Sequence, residues 1–299
     1  MTDDHRENRR LWNEWSDAFQ ALWNADTDES GVPPVPTPFD PDSHAAAGSE
    51  FPPPIAGADV VELGCGGGQG SVGTALAGAD RVVGVDIAEG QLDHARRLRD
   101  CYGVDARFLQ GDVTRIPLAD DAFDAAFSEA AFQLVADLDA AVREARRVLR
   151  PGGAFYLSVM HPFRELIDPE TGTIDRGYHA PPRREIEIDE SYDADLVAFD
   201  RSVSELHRAL VDAGFDVERV EQYKRHVYPN MLTHVWDGSP EAETRDKGGT
   251  DLLATGKPGS GKSTWLLYLA ARLMEINDES VVWRASSSRS EWLPFAPWA

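Results

Sequence analysis

The sequence predicts an α/β protein, a three-layer α/β/α sandwich whose mostly parallel, doubly wound sheet lies between two layers of helices. Two observations lead to this prediction. Short apolar runs alternate with helical segments between residues 59 and 160, and a glycine-rich turn joins the first run to the first helix. Such alternation is typical of βαβ units, which build parallel sheets. A second glycine-rich turn near residue 256 predicts a short additional strand-loop-helix unit.

The residues before the sheet divide into an aromatic helix and a proline-rich linker. Aromatic and aliphatic side chains recur at helical spacing and form one stripe, which predicts either a lid over the core or an aromatic cage for a substrate. Residues 31–54 hold eight of the 19 prolines, which excludes a helix or a central strand there. Residues 1–54 are therefore interpreted as a helix and a linker. The stripe consists of Trp12, Trp15, Phe19, Leu22 and Trp23.

The elements of the sheet follow in order from apolar runs and helical periodicity. The clearest helix lies between Asp137 and Arg150, and Pro151 with the two glycines after it predicts its end. A later helix is expected to bury Leu210 and Val211. The predicted strands cover residues 60–63, 81–85, 106–109, 123–127, 154–160 and 215–223, and the predicted helices between the first of them cover residues 71–77 and 89–100.

The chain carries 52 acidic and 29 basic residues, a formal charge of -23, and only four of the basic residues are lysines. A field of this sign repels phosphate backbones and argues against a nucleic-acid partner. Abundant acidic residues with few lysines resemble the surfaces of halophilic proteins; the alternative is an acidic protein of an ordinary cytoplasm.

Cysteine content and hydropathy bear on the location of the protein. Cys65 and Cys101 make neither a disulfide framework nor a metal-ligand spacing, so a reducing compartment and no metal are expected. The first residues lack the apolar segment of a signal peptide, and no apolar run approaches the roughly 18 residues of a membrane span. We therefore expect a cytoplasmic protein without a membrane anchor.

The first glycine-rich turn lies in the row VVELGCGGGQGS, between a predicted strand and a predicted helix. Glycines there let a ligand approach the backbone and leave the amides of the helix N-terminus free. The dinucleotide pattern G-x-G-x-x-G starting at Gly64 requires a further glycine where the chain has Gln69. The pattern that fits is E-x-G-x-G-x-G, followed by Asp86 at the end of the second predicted strand.

On these motifs the sequence resembles the class I S-adenosylmethionine-dependent methyltransferases, of the small-molecule type with a ubiquinone-biosynthesis-like core, and in particular haloarchaeal members. The resemblance covers about residues 55–225 and also rests on VVGVDIAEG, FLQGDVTRIPLADDAFDAAFS and EARRVLRPGGAFYLSV in that order. It implies a Rossmann-like fold, S-adenosyl-L-methionine as cofactor and in-line methyl transfer to a small molecule. An NAD-dependent Rossmann oxidoreductase is the alternative enzyme, and Gln69 disfavours it.

The resemblance also implies roles for individual residues. The glycine-rich turn would contact the methionine part of the cofactor, with Glu62 holding the turn or the amino group. Asp86 would accept hydrogen bonds from both ribose hydroxyls, a role that suits an acceptor-only carboxylate. Ile87 would pack on the adenine. Structural alternatives are that Asp112 caps a turn and Ser128 caps a helix. The expected cofactor-binding residues are Glu62, Gly64, Cys65, Gly66, Gly68, Asp86, Ile87, Asp112, Val113 and Ser128.

The candidate general base is His161, which follows the fifth predicted strand in the row SVMHPF, and Glu129 is the second candidate. A structural histidine before a proline is the alternative. The stretch after His161 is rich in arginines and aromatic residues and is interpreted either as a cover for an acidic or aromatic substrate or as a solvated loop. These residues are Phe163, Arg164, Arg176, Tyr178, Arg183, Arg184 and Tyr192.

The second glycine-rich turn, in LLATGKPGSGKST, has the spacing G-x-x-x-x-G-K-S of a phosphate-binding P-loop. Residues 229–299 resemble the opening of a conjugation-pump or HerA-type ATPase that stops after its first unit and one more strand near Val281–Trp283. The expected division is therefore residues 1–54, a methyltransferase domain at residues 55–228 and this ATPase-like segment. A nucleotide-binding module driven by the segment is the non-enzymatic alternative. Its exposed aromatic residues predict packing on the main domain, self-association or partial unfolding.

One further strand is expected beside the strand at residues 215–223, because the family has a last antiparallel strand there. The row MLTHVW, residues 231–236, is the candidate for that place.

Overall fold

The structure is a computed structural model that describes residues 2–24, 33–35, 37–39, 55–160, 166, 177–178, 180–224 and 279–286. Nine strands are found in this part of the chain, and seven of them form one sheet. The strands are β1 (Asp59–Leu63), β2 (Arg81–Asp86), β3 (Ala106–Gln110), β4 (Phe123–Glu129), β5 (Leu149–Met160), β6 (Arg183–Ile186), β7 (Leu196–Phe199), β8 (Asp216–Lys224) and β9 (Glu279–Ser286).

The large sheet has the strand order β3-β2-β1-β4-β5-β9-β8, and β6 pairs only with β7. The first five strands in this order are parallel, whereas β9 runs antiparallel to both of its neighbours. The chain reverses its order between β1 and β4, so the sheet is doubly wound. Ligands of open α/β sheets bind at the carboxyl ends of the strands at such a reversal.

The helices are α1 (Asp3–Asn24), α2 (Gln69–Leu76), α3 (Glu89–Tyr102), α4 (Leu138–Val148) and α5 (Val203–Asp212), with a short 3-10 helix at Phe132–Leu134. Neighbouring residues of a strand point to opposite faces of the sheet. Val82 of β2 is aligned with the residue that precedes Val61 on β1, so Val61 and Val82 point to opposite faces. Accordingly, Val61 packs with residues of α4 and α5, while Val82 packs with residues of α2 and α3. The three-layer architecture predicted from the sequence is confirmed.

Two details of the elements differ from the sequence prediction. Strand β5 begins at Leu149, directly after α4, and runs through the Pro-Gly-Gly row, with an irregular register opposite Phe123. The α5 helix buries Leu210 completely, whereas Val211 is exposed. The buried face of this helix consists of Leu206, Ala209 and Leu210, and since a helix turns by about 100° per residue, Val211 lies beyond the edge of that face.

Strand β9 lies between β5 and β8 and pairs with both along its length. It includes Val281–Trp283, which the sequence analysis assigned to the ATPase-like segment. The place beside β8 that was expected for residues 231–236 is therefore taken by β9, and residues 231–236 lie outside the described part of the chain. The second glycine-rich turn also lies outside it.

The N-terminal elements pack on the main domain. Helix α1 approaches α3 closely at Gly90: a Cβ on this glycine would lie only 2.7 Å from the Ser16 hydroxyl. In the proline-rich stretch, Phe39 is buried and makes edge-to-face contacts with Phe127 and Tyr156. The described linker residues thus contribute to the core. None of the helices in the described ranges is both long and apolar enough to cross a membrane.

Candidate functional site

A cavity of about 290 Å³ opens at the carboxyl ends of the strands, where the order of the sheet reverses. This volume is close to the lower end of the range for small-molecule sites, roughly 300 Å³. Eight of the ten expected cofactor-binding residues line it. These residues are Glu62, Gly64, Cys65, Gly66, Asp86, Ile87, Asp112 and Val113.

Two expected residues lie elsewhere. Gly68, with φ of 82°, precedes α2, and a Cβ there would collide with Ala95 and Phe108. Its role is to let the turn pack on α3. Ser128 is fully buried in β4, and its hydroxyl has no hydrogen-bond partner among the described residues. Neither residue lines the cavity. His161 lies outside the described residues.

The glycine-rich turn requires glycine at two positions for different reasons. Gly64 has φ of 81°, and a Cβ on it would lie 2.3 Å from the Ala131 Cβ. Gly66 has φ of 49°, and the nearest atom to a Cβ there is a Gln91 oxygen at 4.0 Å. The turn therefore packs tightly on one side and leaves open space beside Gly66 on the other.

Asp86 ends β2 and faces the cavity. Its Oδ2 accepts a hydrogen bond from the Gly66 N–H at 2.8 Å, and its Oδ1 accepts one from the Ala88 N–H at 2.9 Å. Burial raises the pKa of Asp86, and these two backbone donors counteract part of that effect. Each carboxylate oxygen keeps a second lone pair for a ligand.

Asp112 follows β3 and is held from two sides. Its Oδ1 accepts hydrogen bonds from the Thr114 N–H at 2.9 Å and the Thr114 hydroxyl at 2.7 Å. Its Oδ2 lies 2.9 Å from Nδ1 of His5, which comes from α1. Partial burial alone would raise the pKa of Asp112, but the hydrogen bonds from His5 and Thr114 outweigh it and hold this pKa well below its usual range.

Glu62 is a buried carboxyl group at the end of β1. Its Oε2 accepts a hydrogen bond from the Ser71 hydroxyl at 2.5 Å, and a Cβ on Gly70 would lie 2.4 Å from its Oε1. Burial raises the pKa of Glu62 well above its usual value, the Ser71 bond lowers it, and nearby Glu129 raises it further. The wall of the cavity thus includes an acid that resists ionisation.

The wall opposite the glycine-rich turn comes from α1 and the segment after β4. The α1 helix contributes Trp12, Phe19 and Trp23 of the aromatic stripe, together with polar side chains that the sequence analysis missed. Asn8 is one of these: its amide donates to the Leu134 and Val197 carbonyls and accepts from the Val197 N–H. These bonds anchor the helix over the cavity as a lid, and because its aromatic side chains line the cavity, the aromatic cage for a substrate stays a prediction as well.

The missed residues on α1 share a signal that the sequence does contain. His5, Asn8 and Gln20 lie in phase with the buried residues Leu11 and Trp23 at helical spacing. Polar residues in phase with an apolar stripe are buried with it, and buried polar groups need partners. Gln91 on α3 carries the same signal, because it lies in phase with the buried residues Ala95 and Leu98.

The described residues of the arginine-rich stretch do not cover the cavity. Arg184 forms a bidentate ion pair with Asp200, and Arg183 pairs with Asp4 and Glu185 at the surface. The Tyr178 hydroxyl accepts a hydrogen bond from the Val203 N–H. These side chains therefore hold the small sheet and the start of α5.

The segment after β4 completes the site. Glu129 ends the strand and lines the cavity, and Ala130 adopts φ of 53°, which is uncommon for a residue other than glycine. Partly buried Arg201 donates to the carbonyls of Val135 and Ala136 and so fixes the far end of this segment. Burial lowers the pKa of Arg201 to about 10.

This fold is that of the class I S-adenosylmethionine-dependent methyltransferases. Residues 61–157 match a family model described as a methyltransferase domain. Among solved structures, an S-adenosylmethionine-dependent methyltransferase from Mesorhizobium loti is similar with a TM-score of 0.54 and 22% identity, over 81% of this chain and 95% of that one.

Two curated relatives illustrate the similarity in sequence. A malonyl-[acyl-carrier protein] O-methyltransferase of Yersinia pestis is 42% identical over 101 residues, 34% of this chain and 36% of the relative. A demethylmenaquinone methyltransferase of Thermus thermophilus is 43% identical over 72 residues, 24% of this chain and 33% of the relative. The chain spans about a third of the length of these relatives.

Proposed function

We propose that this chain is an S-adenosylmethionine-dependent methyltransferase that transfers a methyl group in line to a small-molecule acceptor. The charge of the cavity carries the proposal. Within the described residues, four carboxyl groups but neither a lysine nor an arginine line it. The proposed cofactor has a cationic sulfonium and an ammonium group, whereas a dinucleotide has an anionic pyrophosphate. Coulomb attraction to the ionised carboxylates among the four, that of Asp112 above all, therefore favours the former. The carboxyl groups belong to Glu62, Asp86, Asp112 and Glu129.

The residues present fit this cofactor. Asp86 offers two acceptor lone pairs for ribose hydroxyls, and Asp112 keeps one acceptor position for the adenine amine. Ile87 and Val113 would hold the adenine between apolar groups. The open side of Gly66 would admit the methionine part, since any Cβ there would project into the cavity.

When bound, the cofactor supplies a methyl group already activated on a positively charged sulfur. The residues of this chain have to position the acceptor and exclude water, and positioning alone is worth effective molarities of about 10⁵ to 10⁸ M. The apolar wall formed by Trp12, Phe19, Leu134 and Met160 supports an apolar acceptor.

A general base would add a factor of about 10² to 10⁴ where the acceptor carries a proton. His161 remains the first candidate for this role, and Glu129, at the cavity, is the second.

The proposals about the source, location and partners of the protein rest on its composition. The charge of -23 supports a halophilic, haloarchaeal-like protein that works in the cytoplasm and does not bind nucleic acid. Residues 229–299 are the predicted ATPase-like segment; residues 279–286 of it form β9 of the main sheet, and the interpretation is kept for the rest, with self-association through it as one outcome.

The test is a comparison of thermal stabilisation by S-adenosylhomocysteine, NAD and ATP in concentrated KCl. Binding to the folded state alone stabilises a protein by about 2.7 kcal/mol at a hundredfold excess over Kd. We expect S-adenosylhomocysteine alone to raise the melting temperature. Stabilisation by NAD instead would favour the oxidoreductase, and stabilisation by ATP alone would favour the nucleotide-binding module.

A pair of variants makes this test specific to the site. Asp86→Ala removes the acceptor at the cavity end of β2, and we expect it to abolish the shift with S-adenosylhomocysteine. Asp80→Ala changes an exposed residue just before the same strand and serves as the matched control. Equal ligand shifts in the two variants would contradict the proposed site.

A further inference from the structure

Three buried glutamines from three different helices form a hydrogen-bonded chain along the cavity wall. Gln69 begins α2, Gln20 lies on α1 and Gln91 lies in the first turn of α3, and each is less than 9% exposed. The Gln69 Nε2 donates to the Gln20 Oε1 at 2.7 Å, and the Gln20 Nε2 donates to the Gln91 Oε1 at 2.7 Å. All three side chains line the cavity.

The direction of this chain determines what Gln91 can offer. A primary amide has one acceptor oxygen and one NH₂ group with two donors. Because Gln20 occupies the oxygen of Gln91, the NH₂ group of Gln91 is the free end. Its nitrogen has no hydrogen-bond partner in the described part of the chain, although Gln91 is only 1% exposed. Leaving such a buried donor unsatisfied is unfavourable, and a ligand with an acceptor atom would recover that loss.

The neighbours of Gln91 indicate which acceptor this is. Gly66 connects the two groups: its N–H donates to Asp86, and the position of a Cβ on it lies 4.0 Å from the Gln91 oxygen. The acceptor-only carboxylate of Asp86 and the amide group of Gln91 therefore both lie beside Gly66 at the cavity. A hydroxyl group matches this combination, because it donates one hydrogen bond and accepts others.

We propose that Gln91 determines specificity for the ribose of the cofactor, by donating to a ribose hydroxyl whose own proton is donated to Asp86. This inference rests on the proposed function. Gln20 acts as a positioning residue, because its donor fixes the Gln91 amide with the NH₂ group towards the cavity. Gly67 permits this arrangement, since a Cβ there would lie 2.3 Å from the Gln20 nitrogen.

The test is calorimetric binding of S-adenosylhomocysteine and its 2′-deoxy and 3′-deoxy analogues to the full chain and to Gln91→Met. Methionine keeps the length of the side chain and removes both donors. We expect the variant to bind S-adenosylhomocysteine about tenfold more weakly, as for the loss of one buried hydrogen bond. One of the deoxy analogues should bind the variant and the unaltered chain within twofold of each other, because it lacks the hydroxyl that Gln91 contacts.

Gln20→Met is the matched control, because it removes the same hydrogen bond between α1 and α3 but keeps the Gln91 donors. Because the Gln91 donors remain and lose only their positioning, its loss of affinity for S-adenosylhomocysteine should be smaller than that of Gln91→Met, and it should shrink with the same deoxy analogue. A loss in Gln91→Met that is equal for all three ligands would mark a structural effect and overturn the inference, as would binding within twofold of the unaltered chain.

A fourth ligand, 5′-methylthioadenosine, keeps the ribose but lacks the amino-acid part. The Gln91→Met penalty should persist with it; its disappearance would assign the donor to the carboxylate of the amino acid and overturn the ribose assignment. If the unaltered chain binds none of these ligands, the proposed function and this inference both fail. If it binds them and Gln91→Met is indistinguishable, only this inference fails.

Discussion

The imidazole of His5 lies between Asp112 and the backbone of Ala136, and it bonds to both. Its Nδ1 is 2.9 Å from the Asp112 Oδ2, and its Nε2 accepts a hydrogen bond from the Ala136 N–H at 3.0 Å. Since Nε2 accepts, the ring is neutral in this arrangement and Nδ1 carries the proton. One buried ring thus connects the lid helix, the end of β3 and the segment after β4.

His5→Phe keeps a flat ring and removes both hydrogen bonds. It leaves the Asp112 Oδ2 and the Ala136 N–H without a partner, so we expect a loss of about 2 kcal/mol in the free energy of unfolding. Chemical denaturation measures this loss. The control is His94→Phe, because His94 also joins α1 to the domain by pairing with Asp17, but that aspartate is 92% exposed. The control should cost under about 1 kcal/mol; equal losses would contradict the role of His5.

Gly64→Ala introduces two separate costs. The backbone with φ of 81° is strained for alanine, by about 1 to 2 kcal/mol, and the new methyl overlaps the Ala131 Cβ. Gly57→Ala isolates the first cost, because its φ is 79° and no atom lies within 4 Å of its Cβ position. We expect Gly64→Ala to be more destabilising than Gly57→Ala in denaturation. Adding Ala131→Gly to Gly64→Ala removes the overlap and should recover the extra stability lost relative to Gly57→Ala. Failure to recover it would show that the overlap is not the cause.

Glu62→Gln should change how stability depends on pH. Because burial raises the pKa of Glu62 in the folded state, the folded chain binds more protons than the unfolded chain between the two pKa values. Stability from this group is therefore complete below the unfolded pKa and is lost as pH rises through the folded pKa. Glutamine cannot ionise, so we expect the variant to lose less stability between pH 5 and pH 8 than the unaltered chain.

Denaturation of the ligand-free protein at several pH values measures the Glu62 effect. Glu89→Gln makes the same chemical change at an exposed position and serves as the control. A Glu62→Gln profile that runs parallel to that of the unaltered chain would contradict the prediction.

Salt should stabilise the fold. With a formal charge of -23, repulsion among acidic residues acts over a Debye length of about 10 Å at 0.1 M salt and over about 3 Å or less above 1 M. We expect the melting temperature to rise between 0.1 M and 2 M KCl. Equal melting temperatures at the two concentrations would argue against halophilic adaptation.

Lys262→Ala should leave binding of S-adenosylhomocysteine within twofold of the unaltered chain. The glycine motif that contains Lys262 supplies only a phosphate cradle, and phosphoryl transfer also requires a positioned metal ion and an attacking water. Phosphate release with ATP and Mg²⁺ should be undetectable in both proteins. Release that Lys262→Ala abolishes would make this segment a working ATPase.

The sequence predicted the sheet well because parallel strands are buried on both faces and therefore appear as continuous apolar runs. The glycine-rich turn and Asp86 were predictable for a related reason: each lies where a strand ends, and local sequence marks that position. Gly68 shares the glycine pattern but faces α3 in the structure. A pattern shows that glycine is required, but it does not distinguish a ligand from a neighbouring helix as the cause.

The lid residues were less predictable because their partners are far away in sequence. His5 and its partner Asp112 are 107 positions apart in the sequence, and Gln20 and its partner Gln91 are 71 positions apart. Nothing local to a buried glutamine or histidine indicates which distant strand end it will contact. Strand β9 is a similar case, since its place between β5 and β8 depends on a return of the chain that no short motif encodes.

The return of the chain at β9 has a consequence for how this protein can be modified. Lys224 and Glu279 are direct cross-strand partners, so residues 225–278 start and finish about 5 Å apart. The entropic cost of closing a loop rises by only about 0.6 kcal/mol for each doubling of its length. We therefore expect the sheet to keep its register when sequences of different length are placed between these two residues.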